Sequence, residues 1–327
     1  MTTKHRILFL DTGYKYEMED IYGRKLRLLS ESFGGCVLTF GKVGEFQFGE
    51  FTVYSLPKLK SKMAIFLRSL FHGRRMAREA RRAGRKFDLI VTYDPLNTDL
   101  LGVLLSRLCG IPLMVELNGD FTDWRNYSQI RNPLLRASKR WAYLRVEGFV
   151  LRRAAAIKLL YPEQLDYFRR RIRAATVVKV FPNYLDLEPF RNLGETRKVA
   201  IIGFPFAVKG IDIAVAAFAK IATRHPDWVL EVLGWYTGAE KELLDRSIAN
   251  HAAIQHHPQI HKAQMPDYVG RCGVVVCASR TEGFPRVIKE AMHAAKPCIV
   301  SDVGGLPHAI QDGHNGLLFR SEDVDGL

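Results

Sequence analysis

The sequence predicts an α/β protein built from two parallel-sheet domains. Three observations lead there. The 327 residues match the length of about two domains. Short apolar runs alternate with longer amphipathic stretches throughout, as when parallel strands are joined by helical crossovers. The runs fall into two series, and a polar segment punctuated by Pro182, Pro189 and Gly194 separates them.

The first series predicts strands at 6–10, 35–40, 51–56, 89–93, 112–117, 156–160 and 177–181. The second predicts strands at 199–202, 228–233, 273–277, 298–301 and 316–319. Helical stretches fall between most of them, for example 211–225 and 286–295. The break lies within 182–195, so the expected domains are 1–185 and 186–327. There is no internal repeat and no low-complexity linker.

Hydrophobic content of 47% and charged content of 25% are those of an ordinary globular chain. No run approaches the ~20 apolar residues that span a bilayer. The apolar run after Arg6 is too short for a secretory leader. Cys36, Cys109, Cys272, Cys277 and Cys298 include no CxxC pair, and most sit in strand-like runs. They read as buried, reduced thiols of a cytoplasmic protein.

Net charge is +14, and the whole excess lies in residues 1–196, with 34 Lys and Arg against 20 Asp and Glu. The remaining residues balance at 14 of each. Such asymmetry points to a polyanion at the first half: nucleic acid, an anionic membrane or an acidic substrate. Within it, residues 58–86 carry eleven basic side chains against Glu79 alone, interleaved with Met63, Ile65, Phe66, Leu67, Leu70, Phe71 and Met76. This is a basic amphipathic helix. Either its apolar stripe packs on the sheet, or the helix docks on anionic headgroups. Specific nucleic-acid binding is disfavoured because no aromatic-basic stacking motif accompanies the charge.

The strongest chemical signal is Ser279-Arg280-Thr281-Glu282-Gly283-Phe284-Pro285-Arg286-Val287-Ile288-Lys289-Glu290. A strand ends, a polar turn follows and a helix begins, with Pro285 at its first position, where the missing N–H is not needed. Gly283 allows close approach of backbone to ligand. The first-turn N–H groups form an anion site suited to a diphosphate, at the strand edge where open α/β sheets bind ligands. Glu282 and Glu290 are placed to accept hydrogen bonds from two separate sugar rings. Upstream, a strand ends at Gly203, and Lys209-Gly210 opens the next helix, which positions the lysine against phosphate. Downstream, Gly304-Gly305 repeats the strand–turn–helix edge.

Taken in order, these features resemble the C-terminal domain of the retaining GT-B glycosyltransferases of family 4, the glycosyl transferases group 1. Pro226-Asp227, Gly313-His314-Asn315-Gly316 and the segment Pro182-Asn183-Tyr184-Leu185-Asp186 extend the match. The resemblance implies two Rossmann-like domains facing across a cleft and a nucleotide diphosphate sugar as donor substrate, with no separate cofactor. It assigns the donor ribose to Glu290, the diphosphate to Lys209 and the transferred sugar to Glu282. Gly203 and the backbone of Gly283, Phe284 and Pro285 should also line the donor.

Two departures stand out. The family's arginine after the first glycine of the Lys-Gly loop is Phe204 here, and Arg280 and Arg286 are the candidates to replace it. The family's active-site histidine corresponds to Asn118, which cannot act as a base but can hydrogen-bond a sugar; Asp120 is the nearest ionisable group. Gly13 is the nearest candidate for the family's N-terminal glycine loop. Family members also continue through further helices, whereas this chain ends at Asp325-Gly326-Leu327, as expected of a fragment or a minimal form.

His251, His256, His257 and His261 read as a polar loop without ligand-like partners. The only Asp-x-Asp is Asp323-Val324-Asp325, away from the donor motifs, so no essential metal is expected. The favoured reading is a peripheral enzyme on the cytoplasmic face of the membrane. It would pass a sugar to a lipid-linked or cell-surface glycan. A degenerate, non-catalytic donor binder and a sugar-nucleotide epimerase or hydrolase of the same shape remain alternatives.

Overall fold

The computed structural model describes residues 4–11, 21–93, 98–119, 124–127, 130, 132–258 and 260–327. The candidates Asp120 and Gly13 lie outside the described residues. The chain divides into two compact units, Met1–Asn118 with Ser138–Tyr184, and Gly119–Ala137 with Leu185–Leu327.

In the first unit the elements run β1 (His5–Leu10), α1 (Ile21–Leu29), β2 (Phe33–Gly41), β3 (Gly44–Phe48), β4 (Phe51–Pro57), α2 (Lys62–Arg82) and β5 (Leu89–Thr92). They continue as α3 (Thr98–Cys109), β6 (Leu113–Glu116), α4 (Pro133–Leu151), β7 (Ala156–Leu159), α5 (Gln164–Phe168) and β8 (Val177–Val180); the start of α4, up to Ala137, belongs to the segment grouped with the second unit. Among the described residues the sheet has the order β3-β4-β2-β1-β5-β6-β7-β8. Its strands are parallel except for β3, which pairs antiparallel with β4. The central strands are buried on both faces, with Leu8, Val37, Ile90 and Val115 fully enclosed. This explains their unbroken apolar sequences.

The second unit contains β9 (Lys198–Ile202), α6 (Ile211–Ile221), β10 (Val229–Leu233), α7 (Ala239–Ile248), β11 (Ile254–His257) and α8 (Met265–Arg271). It ends with β12 (Val274–Cys277), α9 (Arg286–His293), β13 (Cys298–Ser301), α10 (Leu306–Ala309) and β14 (Leu317–Phe319). Its sheet, β11-β10-β9-β12-β13-β14, is parallel throughout. Helix α6 lays Ile211, Ala214, Val215 and Phe218 against one face. Helix α9 buries Ile288 and Ala291 against the other.

Three local expectations are corrected. Strand β3 was not foreseen, because an edge strand paired on one side does not need an apolar sequence. For the same reason His256 and His257 lie in edge strand β11 rather than in a loop. Pro285 caps α9 from an extended conformation (ψ 129°), and the helix begins at Arg286.

Helix α2 is capped by Ser61, whose Oγ accepts from Ala64 N at 3.3 Å. Gly73 lets it pack tightly on α3: a Cβ there would approach Leu105 to 2.7 Å. Phe66, Leu70, Met76 and Ala80 pack on the core. A second apolar stripe, Met63, Leu67 and Phe71 at i, i+4 and i+8, is exposed. The helix therefore has two apolar stripes, one serving the core and one facing outward. Among the described residues no helix is long and apolar enough to cross a membrane.

Candidate functional site

In the second sheet the strand order reverses at β9, which lies between β10 and β12. The crevice at the carboxyl ends of these strands is where an open parallel sheet receives a ligand. The residues singled out from sequence converge there. Gly203 ends β9 at φ +139°, and a Cβ would sit 3.0 Å from the Lys209 side chain. The lysine stem thus lies across the glycine. Gly210 opens α6 in the left-handed conformation (φ +61°), with the Ala278 carbonyl where a Cβ would stand. The loop between β9 and α6 is therefore held against the end of β12.

The Lys209 ammonium pairs with the Glu282 carboxylate. Both side chains are largely enclosed, at 21% and 13% exposure. Burial alone would lower the lysine pKa, but Glu282 outweighs it, and the ammonium is held above its ordinary value. Ser279 Oγ, fully buried, donates to the same Glu282 oxygen at 3.1 Å. Ser301 Oγ in turn donates to the Ser279 carbonyl at 2.7 Å, tying the ends of β12 and β13 together. Gly304 stands where a Cβ would collide with the Glu282 carbonyl, and Gly305 N donates to Gly283 O at 2.8 Å. The turn carrying Glu282, Gly283, Phe284 and Pro285 is thereby fixed from both sides.

Glu290 lies in the second turn of α9 and is buried, although it is a carboxylate. Its closest cation, Arg286, reaches it at 3.4 Å from a half-exposed position. Desolvation raises the Glu290 pKa, and Arg286 only partly opposes this. A carboxylate kept in so poorly compensated a position points to a functional role.

Arg280 does not take the place of the missing arginine. Its guanidinium grips Asp212 with two bonds of 2.9 and 2.7 Å, donates to Ala207 O at 2.8 Å and meets Glu322 at 3.0 Å. It braces the β9–α6 loop and is committed there. Arg286 remains next to Glu290, and Phe204 is exposed.

In the first unit Asn118 stands at the carboxyl end of β6. Its Oδ1 accepts from Asn183 Nδ2 at 3.0 Å. Asn183 Oδ1 accepts from the Lys158 ammonium, which is also 3.3 Å from Glu116. Glu116 and Lys158 are register partners on β6 and β7 and are nearly fully buried. Desolvation lowers the Lys158 pKa, against the pull of Glu116. Sequence reasoning missed this network. One signal for it was opposite charges within two apolar strands, in Met114-Val115-Glu116-Leu117 and Ala156-Ile157-Lys158-Leu159.

Among the described residues no group of three or more His, Cys, Asp or Glu side chains is arranged to hold a metal ion. The histidines of β11 have other partners: His256 Nε2 lies 3.0 Å from Gly234 O, and His257 faces Glu231 at 3.7 Å. The cysteines are free thiols, and burial pushes Cys277, beneath the Lys209–Glu282 pair, up to about 11.

Comparison with known proteins follows the same division. Residues 188–327 match the family described as glycosyl transferases group 1, and residues 41–184 match the glycosyl transferase 4-like domain. D-inositol 3-phosphate glycosyltransferase of Arthrobacter sp. (strain FB24) is 28% identical over 273 residues, covering 74% of this chain and 59% of that protein. Alpha-D-kanosaminyltransferase of Streptomyces kanamyceticus is 24% identical over 242 residues, covering 68% and 61%. The chain thus spans about six-tenths of the length of these curated relatives. Sucrose-phosphate synthase of Thermosynechococcus elongatus superposes with a TM-score of 0.71 at 20% identity, covering 99% of this chain and 88% of that one. HepE of Anabaena, solved in complex with UDP-glucose, superposes with a TM-score of 0.69 at 18% identity, covering 98% and 86%.

Proposed function

The chain belongs to the group 1 glycosyltransferases of GT-B fold, and from that premise we propose that it transfers a sugar from a nucleotide diphosphate to an acceptor hydroxyl with retention of anomeric configuration. The observation that carries the proposal is the cluster at the carboxyl edge of the second sheet. There Lys209, Glu282 and the start of α9 converge, with buried Glu290 in the next turn.

In this reading the donor diphosphate lies against the Lys209 ammonium and the first-turn N–H groups of α9. As the bond from the anomeric carbon to the diphosphate breaks, negative charge grows on the leaving oxygen. A fixed cation and oriented N–H dipoles in a partly enclosed site stabilise that charge without reorganising. Glu282, oriented by Ser279 and Lys209, accepts from hydroxyls of the transferred sugar. Glu290 accepts from the ribose. The leaving group's charge is met entirely by side chains and backbone, so the reaction proposed is metal-independent.

The acceptor is proposed to be a lipid-linked or cell-surface glycan, reached from the cytoplasmic face of an anionic membrane. Helix α2 supports this, with its exposed Met63, Leu67 and Phe71 set among cationic side chains. A non-catalytic donor-binding role is favoured by one observation, the commitment of Arg280 to Asp212 where the family's phosphate-binding arginine is replaced by Phe204.

The test is a thermal-shift screen with UDP-, GDP-, ADP- and TDP-sugars, followed by product analysis with the best donor. One nucleotide class should raise the melting temperature, and the product should keep the donor's anomeric configuration. No shift with any donor would overturn the donor reading. Donor binding without turnover across a panel of glycan acceptors would leave the non-catalytic alternative.

A further inference from the structure

A second cavity, of about 520 Å³, opens in the first unit between helix α2 and strands β1, β2 and β4. It lies away from the carboxyl ends of β5 and β6, and nothing in the donor chemistry uses it. Its apolar lining includes Leu38, Leu56, Met76 and Phe87, and its cationic lining is Arg6, Arg75 and Arg85, with Arg6 also hydrogen-bonded to the Cys36 thiol. Glu79, the one carboxylate on the lining, is bound to Arg75 at 2.8 Å. The guanidinium of Arg6 lies 5.8 Å from the centre of the Phe87 ring, and its Nε is buried without a hydrogen-bond partner. Native interiors rarely leave such a donor unmet, because an unsatisfied buried group carries its full desolvation cost. The volume is that of a small-molecule site, and an apolar wall with a few convergent polar groups is the usual character of one.

We propose that this cavity binds an amphiphilic anion, a phosphate or carboxylate carrying an apolar body. The head group meets Arg6 and Arg85, and the body lies along Leu38, Leu56, Met76 and Phe87. The shared chemistry has two sources, a soluble organophosphate and a membrane lipid. Helix α2 forms one wall, so an occupant would also brace the helix whose outer stripe is exposed. The site stands independently of the donor reading.

The test uses octyl phosphate, inorganic phosphate and octanol as probes, with calorimetry on the full chain. Octyl phosphate should bind saturably at one site, while inorganic phosphate and octanol bind at least tenfold more weakly, since each offers only half of the interaction. Arg6→Gln should weaken octyl phosphate at least tenfold, as the loss of a charge-assisted bond does. Arg85→Gln, at an exposed position that tolerates change, should weaken it two- to fivefold. Ala80→Phe, which fills the cavity, should abolish it. Melting curves of each variant serve as controls for folding. Vesicles of phosphatidylglycerol distinguish the sources: displacement of bound octyl phosphate by the vesicles assigns the site to a lipid, and octyl phosphate binding unchanged by them assigns it to a soluble organophosphate. Absence of saturable binding by octyl phosphate overturns the proposal, as does equal binding by wild type, Arg6→Gln and Ala80→Phe.

Discussion

Replacing Glu290 by Gln should weaken nucleotide binding and, at the same time, stabilise the fold. The carboxylate is 9% exposed, and its best cationic contact is the 3.4 Å approach of a half-exposed Arg286. A hydrogen bond from a ribose hydroxyl to a charged acceptor contributes ~1.5–3 kcal/mol, so its loss lowers affinity roughly 10- to 150-fold. Gln keeps one acceptor and should fall at the lower end; Ala should fall at the upper. The stability effect follows from the raised pKa. A carboxyl whose folded-state pKa exceeds its unfolded value binds its proton more tightly when folded. The folded state is then favoured at low pH and loses that advantage as pH rises from ~4.3 to the raised value. At neutral pH the wild type carries a desolvation cost that Gln lacks. Calorimetry at pH 7.5 with the nucleotide that the thermal-shift screen selects, and melting curves from pH 4 to 8, test both halves. Glu290→Gln should bind more weakly yet melt higher at pH 7.5, with the melting difference shrinking towards pH 4. Unchanged affinity in a folded variant would refute the ribose role, and a lower melting temperature at pH 7.5 would refute the desolvation argument.

Four further outcomes are expected. Lys209→Met leaves Glu282 and its Ser279 contact without a cation; it should abolish turnover and cost ~1–3 kcal/mol in denaturant melts, less than a fully buried pair because both groups retain some solvent. The double change Lys209→Met with Glu282→Gln should recover the stability but not the activity. Lys158→Met strands the buried Glu116 and should cost ~3–5 kcal/mol in the same assay, whereas Glu116→Met with Lys158→Met together should be close to neutral. Turnover, measured with any acceptor found, should survive EDTA, and loss restored by magnesium or manganese would refute the metal-free reading. Changing Arg74, Arg75, Arg78, Arg81 and Arg82 to Gln should abolish sedimentation with anionic vesicles at physiological salt, where each headgroup-facing cation contributes about 1 kcal/mol, and leave nucleotide binding intact.

The turns at the carboxyl edge of the second sheet were legible because their signals are local. Gly203, Lys209-Gly210, Glu282 to Glu290 and Gly304-Gly305 each announce a strand end, a sharp turn and a helix start, all of which depend on residues close in sequence. The structure brings these turns together at one sheet edge because parallel strands present all their carboxyl ends on the same side. The buried pair Glu116–Lys158 was harder to read, since its partners lie 42 residues apart and become neighbours only through the β6–β7 register. Between Arg280 and Arg286 the sequence could not choose, since Asp212, which holds the Arg280 guanidinium, lies 68 residues away.

The sequence by itself determined the α/β class and the strand–turn–helix edges of the second unit, because periodicity, turn chemistry and helix starts are properties of short segments, whereas only the structure groups Gly119–Ala137 with the second unit. It also determined the charge asymmetry, which is a count. Only the tertiary structure decided which charged groups are already satisfied and which are held ready. Burial, strand register and the approach of a distant side chain commit Arg280 to Asp212, leave Glu290 poorly compensated and leave Arg6 Nε without a partner. Free energy in these cases depends on what surrounds a group in space, and neighbours in space are chosen by the packing of the whole sheet.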